Sequence, residues 1–346
     1  MKFRVIILTL LLGFSSCLIE DDYGSFSSQA DLGDLLSDET LVDFVWLPPS
    51  NEIVYAVLSG TNSVIKAVNL GTRQYRTIST FSNRTILAIN WKNNNYQELV
   101  VASFSSNSSN EIHVLKLSDN SRERIYEFVW LNPNRYLNSI ISNEKFLVTR
   151  AFNPINGNEA AVLRKWSTNE DFELGNLIPI AASPDYEQLI LADQSEWPYR
   201  YFIYGIETED FLPLLGFNNF PADIIEWTPI GIIGYIMRPT VYIRRNLTAF
   251  NELRFTLFEQ YDNYMAGAAS GNIFLFLYQR CLTDVPIPEC NTKVFSEIYI
   301  REINRTESER VMFKEGAFFQ KVNFSPDEKA VAAIVDNQLY YKKFKD

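Results

Sequence analysis

The chain contains one imidazole and few other groups arranged for catalysis. A Ser-His-Asp or Cys-His site needs an imidazole as its proton carrier, and His113 is the only histidine among the 346 residues. It stands in Ile112-His113-Val114-Leu115, an alternating pattern typical of a strand, so we interpret it as a strand-face residue rather than a base. No Gly-x-Ser-x-Gly motif occurs in the sequence. The sequence therefore predicts no catalytic residue.

Paired carboxylates occur at Asp21-Asp22, Glu170-Asp171 and Glu207-Thr208-Glu209-Asp210, and such pairs can line a glycosidase cleft. The last group falls at a predicted turn between strands, where acidic side chains solvate the loop. The sequence holds neither a Cys/His cluster nor an Asp-x-Asp-x-Asp-Gly loop, and its 14 glycines are scattered singly. We therefore predict no metal site and no cofactor.

Two cysteines, Cys281 and Cys290, flank a Pro-rich segment of eight residues. In an exported chain, a disulfide between them is the natural interpretation, and it would stabilise the fold by about 2–3 kcal/mol through loop-closure entropy. The alternative is two free thiols. A metal site is disfavoured because the chain has no second cysteine pair and its one histidine is distant in sequence.

The N-terminus has the features of an export signal. Lys2 and Arg4 precede an apolar run over residues 5–12, which is too short to span a bilayer as a helix. The following Ser15-Ser16-Cys17 resembles a bacterial lipobox, and the acidic residues after it resemble the runs that direct surface display of Bacteroidota lipoproteins. The resemblance implies a signal peptide over 1–16, lipid on Cys17, and an acidic tether over 17–39. The alternative is an ordinary secretory signal that is cut nearby, with Cys17 discarded.

Composition predicts an all-β domain over residues 40–346. Hydrophobic residues make up 47% of the chain and aromatic residues 14%, which is enough for a packed core, and the abundance of Tyr, Phe, Ile and Val favours strands. The net charge is −11, and without Lys2 and Arg4 it becomes −13, because 29 basic residues then face 42 acidic ones. No basic stripe occurs, so we predict no nucleic-acid partner.

A repeated pattern is clearest near the C-terminus, where apolar strands flank Ser325-Pro326-Asp327-Glu328. Pro sets φ for the first turn position, and Ser and Asp side chains bond their own backbone. The segment resembles the F-S-P-D-G-K signature of TolB-like and WD40-like β-propeller repeats, with Glu328 where Gly is usual. This resemblance implies a ring of four-stranded blades.

Similar units have anchor residues at 46, 91, 182, 227 and 324, separated by 45, 91, 45 and 97 residues. Two intervals are about twice the others, and weak copies near 141 and 269 fill them. We therefore favour seven blades, with six as the alternative and a pair of β-sandwiches third. The last unit is too short for a fourth strand. Either a segment before Thr40 supplies that strand, or the last blade has three.

The main functional hypothesis is an exported, lipid-anchored β-propeller that binds a protein or glycan at the cell envelope. We expect it at the outer membrane, on the cell surface or in the periplasm, with secretion as the alternative. The second hypothesis is a glycan-processing or lactonase-like enzyme that uses channel-facing carboxylates, with or without Ca²⁺. Acids converging at the central channel favour the enzyme, and a channel lined by aromatic and neutral side chains favours binding.

Overall fold

The described part of the chain consists of strands and the turns between them. The computed structural model describes residues 30–48, 51–105, 110–128, 140–152, 159–174, 177–193, 200–214, 222–228, 231–236, 240–244, 252–256, 263–270, 273–281, 294–302, 305, 307–317 and 319–345. No helix occurs among these residues. The all-β prediction is confirmed.

The strands form four-stranded antiparallel sheets, seven of them within the described ranges. The N-terminal strand, β1 (Asp34–Ser37), belongs to the last of these sheets. Sheet 1 contains β2 (Leu41–Leu47), β3 (Glu52–Ser59), β4 (Asn62–Asn69) and β5 (Tyr75–Phe81). Sheet 2 contains β6 (Arg84–Trp91), β7 (Glu98–Ser105), β8 (Asn110–Lys116) and β9 (Arg122–Phe128). Sheet 3 contains β10 (Ile141–Ser142), β11 (Phe146–Phe152), β12 (Glu159–Lys165) and β13 (Asp171–Glu173).

The remaining four sheets repeat this order of strands. Sheet 4 contains β14 (Ile178–Ala182), β15 (Gln188–Asp193), β16 (Arg200–Gly205) and β17 (Phe211–Pro213). Sheet 5 contains β18 (Ala222–Thr228), β19 (Gly231–Ile236), β20 (Thr240–Arg244) and β21 (Glu252–Thr256). Sheet 6 contains β22 (Asn263–Ser270), β23 (Ile273–Cys281), β24 (Val294–Glu302) and β25 (Glu309–Glu315). Sheet 7 contains β26 (Phe319–Phe324), β27 (Ala330–Val335), β28 (Gln338–Lys343) and β1.

The second strands whose side chains are described along their whole length are buried on both faces. All six residues of β27 are buried, as are five consecutive residues of β3 and of β7. A strand that is covered on both faces has a continuous run of apolar residues in its sequence, whereas a half-buried strand alternates apolar and polar residues. The outermost strands differ, and all three residues of β17 are exposed. Apolar packing thus runs between the faces of neighbouring sheets.

Each of the seven sequence anchors lies on the first strand of a sheet. Six of these first strands also share a β-bulge, which falls between Leu41 and Asp43 in β2 and between Phe319 and Lys321 in β26. The weak copies near 141 and 269 fall on β10 and β22. The repeat therefore exists in the structure as well as in the sequence.

The two Ser-Pro-Asp turns form the same hydrogen bonds in sheets 4 and 7. Ser183 Oγ donates to Asp185 Oδ1, and Ser325 Oγ donates to Asp327 Oδ1, at 2.6 Å in both cases. Each serine oxygen also accepts the backbone N–H five residues later, at 2.9 Å. The predicted hairpin turn at 325–328 is confirmed. Glu328 has φ 56°, which explains why Gly is usual at this position.

The N-terminal segment completes sheet 7. β1 pairs antiparallel with β28, and Asp31 exchanges two backbone hydrogen bonds with Phe313 of β25, both 3.0 Å long. Gly33 has φ +74°, and a Cβ there would lie 2.4 Å from the Tyr341 carbonyl oxygen. β1 lies within residues 17–39, which the sequence analysis assigned to a tether. The ordered body therefore begins before Thr40, because β1, which has only four residues, is stabilised by a partner distant in sequence.

Candidate functional site

Two of the predicted site residues lie outside the described residues. Cys17 and Cys290 are in ranges that the structure does not describe. Cys281 is the last residue of β23 and pairs with Val294, the first residue of β24. The cysteine loop therefore connects the second and third strands of sheet 6. Lipidation of Cys17 and the Cys281–Cys290 disulfide stay predictions.

His113 is a buried residue on a strand face, as the sequence indicated. Its side chain is packed between sheets 1 and 2, where its ring lies edge-on to Phe81 with 5.5 Å between the ring centroids. Its Nε2 is 2.9 Å from Glu111 Oε2, and Nδ1 is buried without a hydrogen-bond partner. Burial lowers the pKa of His113, since desolvation disfavours the imidazolium, although the adjacent Glu111 carboxylate acts in the opposite direction. A neutral, buried imidazole suits packing rather than proton transfer to a substrate.

Glu111 connects His113 to two arginines. Its carboxylate lies 3.2 Å from Arg84 Nη1 and 3.3 Å from Arg124 Nη1. Burial alone would raise the pKa of Glu111, but Arg84, His113 and Arg124 together hold it below its usual value. The group places two arginines around one carboxylate on the side of sheet 2 that faces sheet 1.

Of the carboxylates considered in the sequence analysis, Asp171, Glu207 and Glu209 form ion pairs with neighbouring basic side chains, and Asp21 and Asp22 lie outside the described residues. Asp171 accepts from Arg164 Nη1 at 3.1 Å within sheet 3. Glu207 and Glu209 lie at the turn between β16 and β17. Lys165 Nζ of sheet 3 lies 4.0 Å from Glu207 Oε2 and 3.5 Å from Glu209 Oε1. These acids occupy strand ends and turns, which agrees with a solvating role.

The first strands carry acids at 43, 223 and 226, and the structure describes the side chain of Asp43. Asp43 is 6% exposed, and its oxygens accept the backbone N–H groups of Phe44 and Ile89, both at 2.8 Å. It also forms an ion pair with Lys321, whose Nζ donates to the Phe44 carbonyl at 2.9 Å. Asp43 therefore joins β26, β2 and β6, and its oxygens are occupied by these partners.

A cleft of about 550 Å³ lies between sheets 2 and 3. Sites for small ligands usually have volumes of about 300–1,000 Å³, so the cleft has the size of a ligand site. Its lining combines apolar side chains with charged and neutral polar ones, namely Lys92, Glu98, Val114, Lys116, Ser121, Arg122, Glu123, Arg124, Ile125, Arg164, Trp166 and Asn169. We take this cleft as the candidate site.

Three hairpin ends position the lining residues. Lys92 and Glu98 flank the turn between β6 and β7, and their side chains form an ion pair of 2.9 Å. Lys116 and Ser121 flank the turn between β8 and β9, which is closed by a backbone hydrogen bond of 2.9 Å. Trp166 and Asn169 belong to the turn between β12 and β13. Hairpin turns are held by the strands on either side, so the cleft is largely preformed.

The apolar part of the cleft is continuous with the core between sheets 2 and 3. Ile125 and Trp166 pack against the buried cluster that contains Ile112 and Val162. Trp166 Nε1 donates to the Asn143 carbonyl at 2.8 Å, and the Lys92 ammonium lies 5.0 Å from the centroid of its ring. The indole is therefore fixed in place, as an aromatic residue in a binding site should be.

Sequence reasoning did not find this cleft. A second aromatic-rich segment, 197–201, lies mostly outside the described residues, since 194–199 are not described. Trp166 stands in Lys165-Trp166-Ser167-Thr168-Asn169, where an aromatic residue begins a polar turn between two strands. That combination is the one local signal that the sequence offered.

Among the described residues, no group of three or more His, Cys, Asp or Glu side chains is placed to hold a metal ion. Within the same ranges, no helix is long and apolar enough to cross a membrane.

Comparisons with known proteins identify the fold. No protein-family model matches the chain, and no curated protein matches it in sequence. The chain is similar to the β-propeller domain of the trilobed protease from Pyrococcus furiosus, with a TM-score of 0.55, 13% identity, and coverage of 78% of this chain and 83% of that domain. It is also similar to a chain of the mitotic checkpoint complex, with a TM-score of 0.58, 10% identity and full coverage of both chains.

TolB from Acinetobacter baumannii is a more distant likeness. Its TM-score is 0.46 and its identity 14%, with coverage of 85% of this chain and 64% of TolB. The likeness to the protease domain, together with the four-stranded antiparallel sheets, shows a β-propeller fold and nothing about activity.

Proposed function

We propose that this chain is an exported, lipid-anchored propeller of seven blades that acts as a binding module at the cell envelope. The seven described sheets, each with a sequence anchor on its first strand, support the blade number. The pairing of β1 with β28 supports a closed ring, because it joins the two ends of the domain in one sheet. Closure by terminal strands leaves fewer open sheet edges.

The cleft between sheets 2 and 3 is the observation that carries the binding function. It has a ligand-sized volume of about 550 Å³, a fixed tryptophan and several charged side chains at its margin. Binding sites of this kind combine an apolar wall with a few polar groups that orient the ligand. The strands of the sheets hold the hairpin ends in place, and the side chains at those hairpin ends contact the ligand.

The enzyme hypothesis gains no comparable support from the described residues. A carboxylate that acts as acid, base or nucleophile must reach the substrate. Asp43 is buried and is already hydrogen-bonded to two backbone amides and Lys321. It contributes to folding, and we assign no catalytic role to it.

Export is tested on the protein made in its natural cell. Intact-mass analysis of detergent-extracted protein should give a chain that begins at Cys17 and carries lipid, because the lipobox-like Ser15-Ser16-Cys17 directs cleavage there. Cys17→Ser should release the protein from the membrane fraction, and Ser28→Ala is a matched control. A mature chain that begins after Cys17 would refute the anchor.

The cysteine pair provides a separate test of the compartment. Rapid alkylation of the native protein should find Cys281 and Cys290 joined, because oxidising compartments favour disulfides. Two free thiols would argue against export even if Cys17 is removed.

Binding is tested with the full protein in liposomes, mixed with sheared cell-envelope material and sedimented. Lys116→Ala combined with Asn169→Ala should weaken retention about tenfold, since truncating a few central contacts removes most of the binding energy. Lys343→Ala is the control, because Lys343 is exposed on β28 of sheet 7. Equal retention of all three proteins would exclude the cleft as the binding site.

A further inference from the structure

The outer edge of sheet 4 is exposed along its whole length. Its last strand, β17, contains Phe211, Leu212 and Pro213, and all three residues are exposed. Phe211 is 46% exposed and Leu212 58%, and among the described residues no other two exposed large apolar side chains are neighbours in sequence. Single exposed apolar residues are common on protein surfaces, but an adjacent pair on an edge strand is a potential contact for another chain.

The two apolar side chains lie on opposite faces of the sheet. Phe211 pairs with Tyr204, and their ring centroids are 4.7 Å apart, whereas Leu212 pairs with Ile203. Tyr204 belongs to the buried cluster between sheets 3 and 4, and Ile203 to the cluster between sheets 4 and 5. A strand placed beside β17 would therefore find an apolar side chain on each of its faces.

The backbone of β17 can also pair with a further strand. The Asp210 carbonyl accepts from the Gly205 N–H at 3.0 Å, so it points toward β16, as does the Leu214 N–H. Alternate residues of an antiparallel strand direct their backbone groups to opposite sides, so those of Phe211 and Pro213 point to the outer edge. No strand of the described residues pairs with this edge. It offers one N–H, from Phe211, and two carbonyl groups.

The turn that precedes β17 is acidic. It contains Glu207, Glu209 and Asp210, and the side chains of the two glutamates are 79% and 51% exposed. The basic side chain beside them is Lys165, which lies within 4.0 Å of both glutamates. Three carboxylates against one ammonium group leave an excess of negative charge, which attracts a basic partner.

This charge distinguishes between the possible occupants of the edge. A second copy of the chain would add another acidic turn within about 10 Å, the length of a three-residue strand, and like charges at that distance repel. A lipid surface would cover Leu212 but leave the outward backbone groups of Phe211 without partners. A basic extended polypeptide satisfies both the backbone groups and the acids.

We propose that the β17 edge of sheet 4 binds an extended segment of a partner protein in which apolar and basic residues alternate, and that this segment adds a strand to the sheet. The apolar side chains of the segment contact Phe211 or Leu212, and its basic side chains contact Glu207 and Glu209. This inference goes beyond the proposed function, because it involves none of the residues that line the cleft.

The test uses the full protein in detergent micelles and three labelled peptides, with binding measured by fluorescence anisotropy. The first peptide alternates Val and Lys, the second has Glu in place of Lys, and the third is the Lys peptide with alternate backbone amides methylated. We expect the first to bind at least about tenfold more tightly than either of the others. Its affinity should fall as salt rises, because the acids are exposed.

Charge reversal locates the site. Glu207→Lys combined with Glu209→Lys should reverse the preference, so that the Glu peptide binds more tightly than the Lys peptide. Glu307→Lys combined with Glu309→Lys is the matched control, since both residues are exposed at the equivalent turn, between β24 and β25 of sheet 6, and the net charge changes equally. The control should keep the preference for Lys.

Three results would overturn this inference. Equal effects of the two charge reversals would show that the peptide responds to the overall charge of the protein rather than to this edge. Undiminished binding of the methylated peptide would exclude strand addition. Self-association in sedimentation experiments that Leu212→Asp abolishes would assign the edge to a second copy of the chain. None of these results bears on retention of envelope material by the cleft, so the proposed function is tested separately.

Discussion

The junction between sheets 7 and 1 and the junction between sheets 2 and 3 are built differently. Among the described residues, thirteen buried apolar side chains join sheets 7 and 1, including Phe44, Tyr55 and Ile334. Four form the corresponding cluster between sheets 2 and 3. The first junction also has the Lys321–Asp43 ion pair and the β1 strand, whereas the second contains the cleft.

The difference follows from what each junction has to do. Where the two ends of the domain meet, the chain links sheet 7 to sheet 1 through β1, which is held in sheet 7 by its pairing with β28, so pairing, packing and ion pairs must resist opening. Sheets 2 and 3 are consecutive in the chain, and the connection between them holds them together at a lower cost in entropy. A loosely packed junction can therefore hold a ligand site without loss of the fold.

The largest expected effect comes from breaking the closing junction at Gly33. A Cβ at this position would lie 2.4 Å from the Tyr341 carbonyl oxygen and 2.7 Å from Lys342 Cβ. Gly33→Ala should lower the free energy of unfolding by about 2–4 kcal/mol, because β1 must move away from β28. Urea unfolding measures this change.

Gly60→Ala is the matched control for Gly33. Gly60 also has positive φ, at +64°, but an added Cβ would meet nothing within 4 Å. Gly60→Ala should therefore lower the free energy of unfolding by only about 1 kcal/mol, which is the conformational strain of a side chain at positive φ. Equal losses in the two variants would mean that β1 does not hold the junction.

A smaller effect is expected from the buried ion pair. Asp43→Ala leaves the Ile89 N–H without its acceptor and removes the carboxylate that pairs with the Lys321 ammonium, so the free energy of unfolding should fall by about 2–3 kcal/mol. Asp171→Ala at the junction with the cleft removes a carboxylate that is 35% exposed, and should cost no more than about 1 kcal/mol. Thermal unfolding of the two variants compares the junctions directly. A larger loss for Asp171→Ala would reverse the comparison.

The smallest effect concerns the junction between sheets 1 and 2, where His113 makes stability depend on pH. Burial lowers the pKa of His113 in the folded protein, so the unfolded chain binds the proton more readily. Its contribution is complete above the unfolded pKa of about 6.5, and stability falls below that pH by at most about 1.4 kcal/mol per pH unit. His113→Gln should therefore reduce the change in the free energy of unfolding between pH 6.5 and 5, which urea unfolding at several pH values measures.

Glu111 does not obscure this measurement. Its pKa lies below the ordinary value in the folded state, so its contribution is present above the unfolded pKa of about 4.3 and is lost as the pH falls from there through the folded pKa, which is below the pH range of the histidine measurement. An unchanged slope in His113→Gln between pH 6.5 and 5 would show that protonation of the histidine does not couple to folding.

Local sequence patterns determined the strands and their grouping. Ser325-Pro326-Asp327 predicted a turn because Pro restricts φ and the serine and aspartate side chains bond nearby backbone groups, and the structure contains those bonds. The spacing of the anchors placed the first strand of each sheet, including the weak copies at β10 and β22. Hairpins are encoded over about 20 residues, so a single sequence is enough to recognise them.

Only the tertiary structure decided how the ends meet and where a ligand can bind. Asp43 appears in the sequence as one polar residue in an apolar strand, and its partner Lys321 is 278 positions away. β1 has only four residues, and it becomes a strand because β28 offers it an open edge. The cleft combines residues from three hairpins across two sheets. Such contacts depend on the packing of distant segments, and that packing leaves no local signal in the sequence.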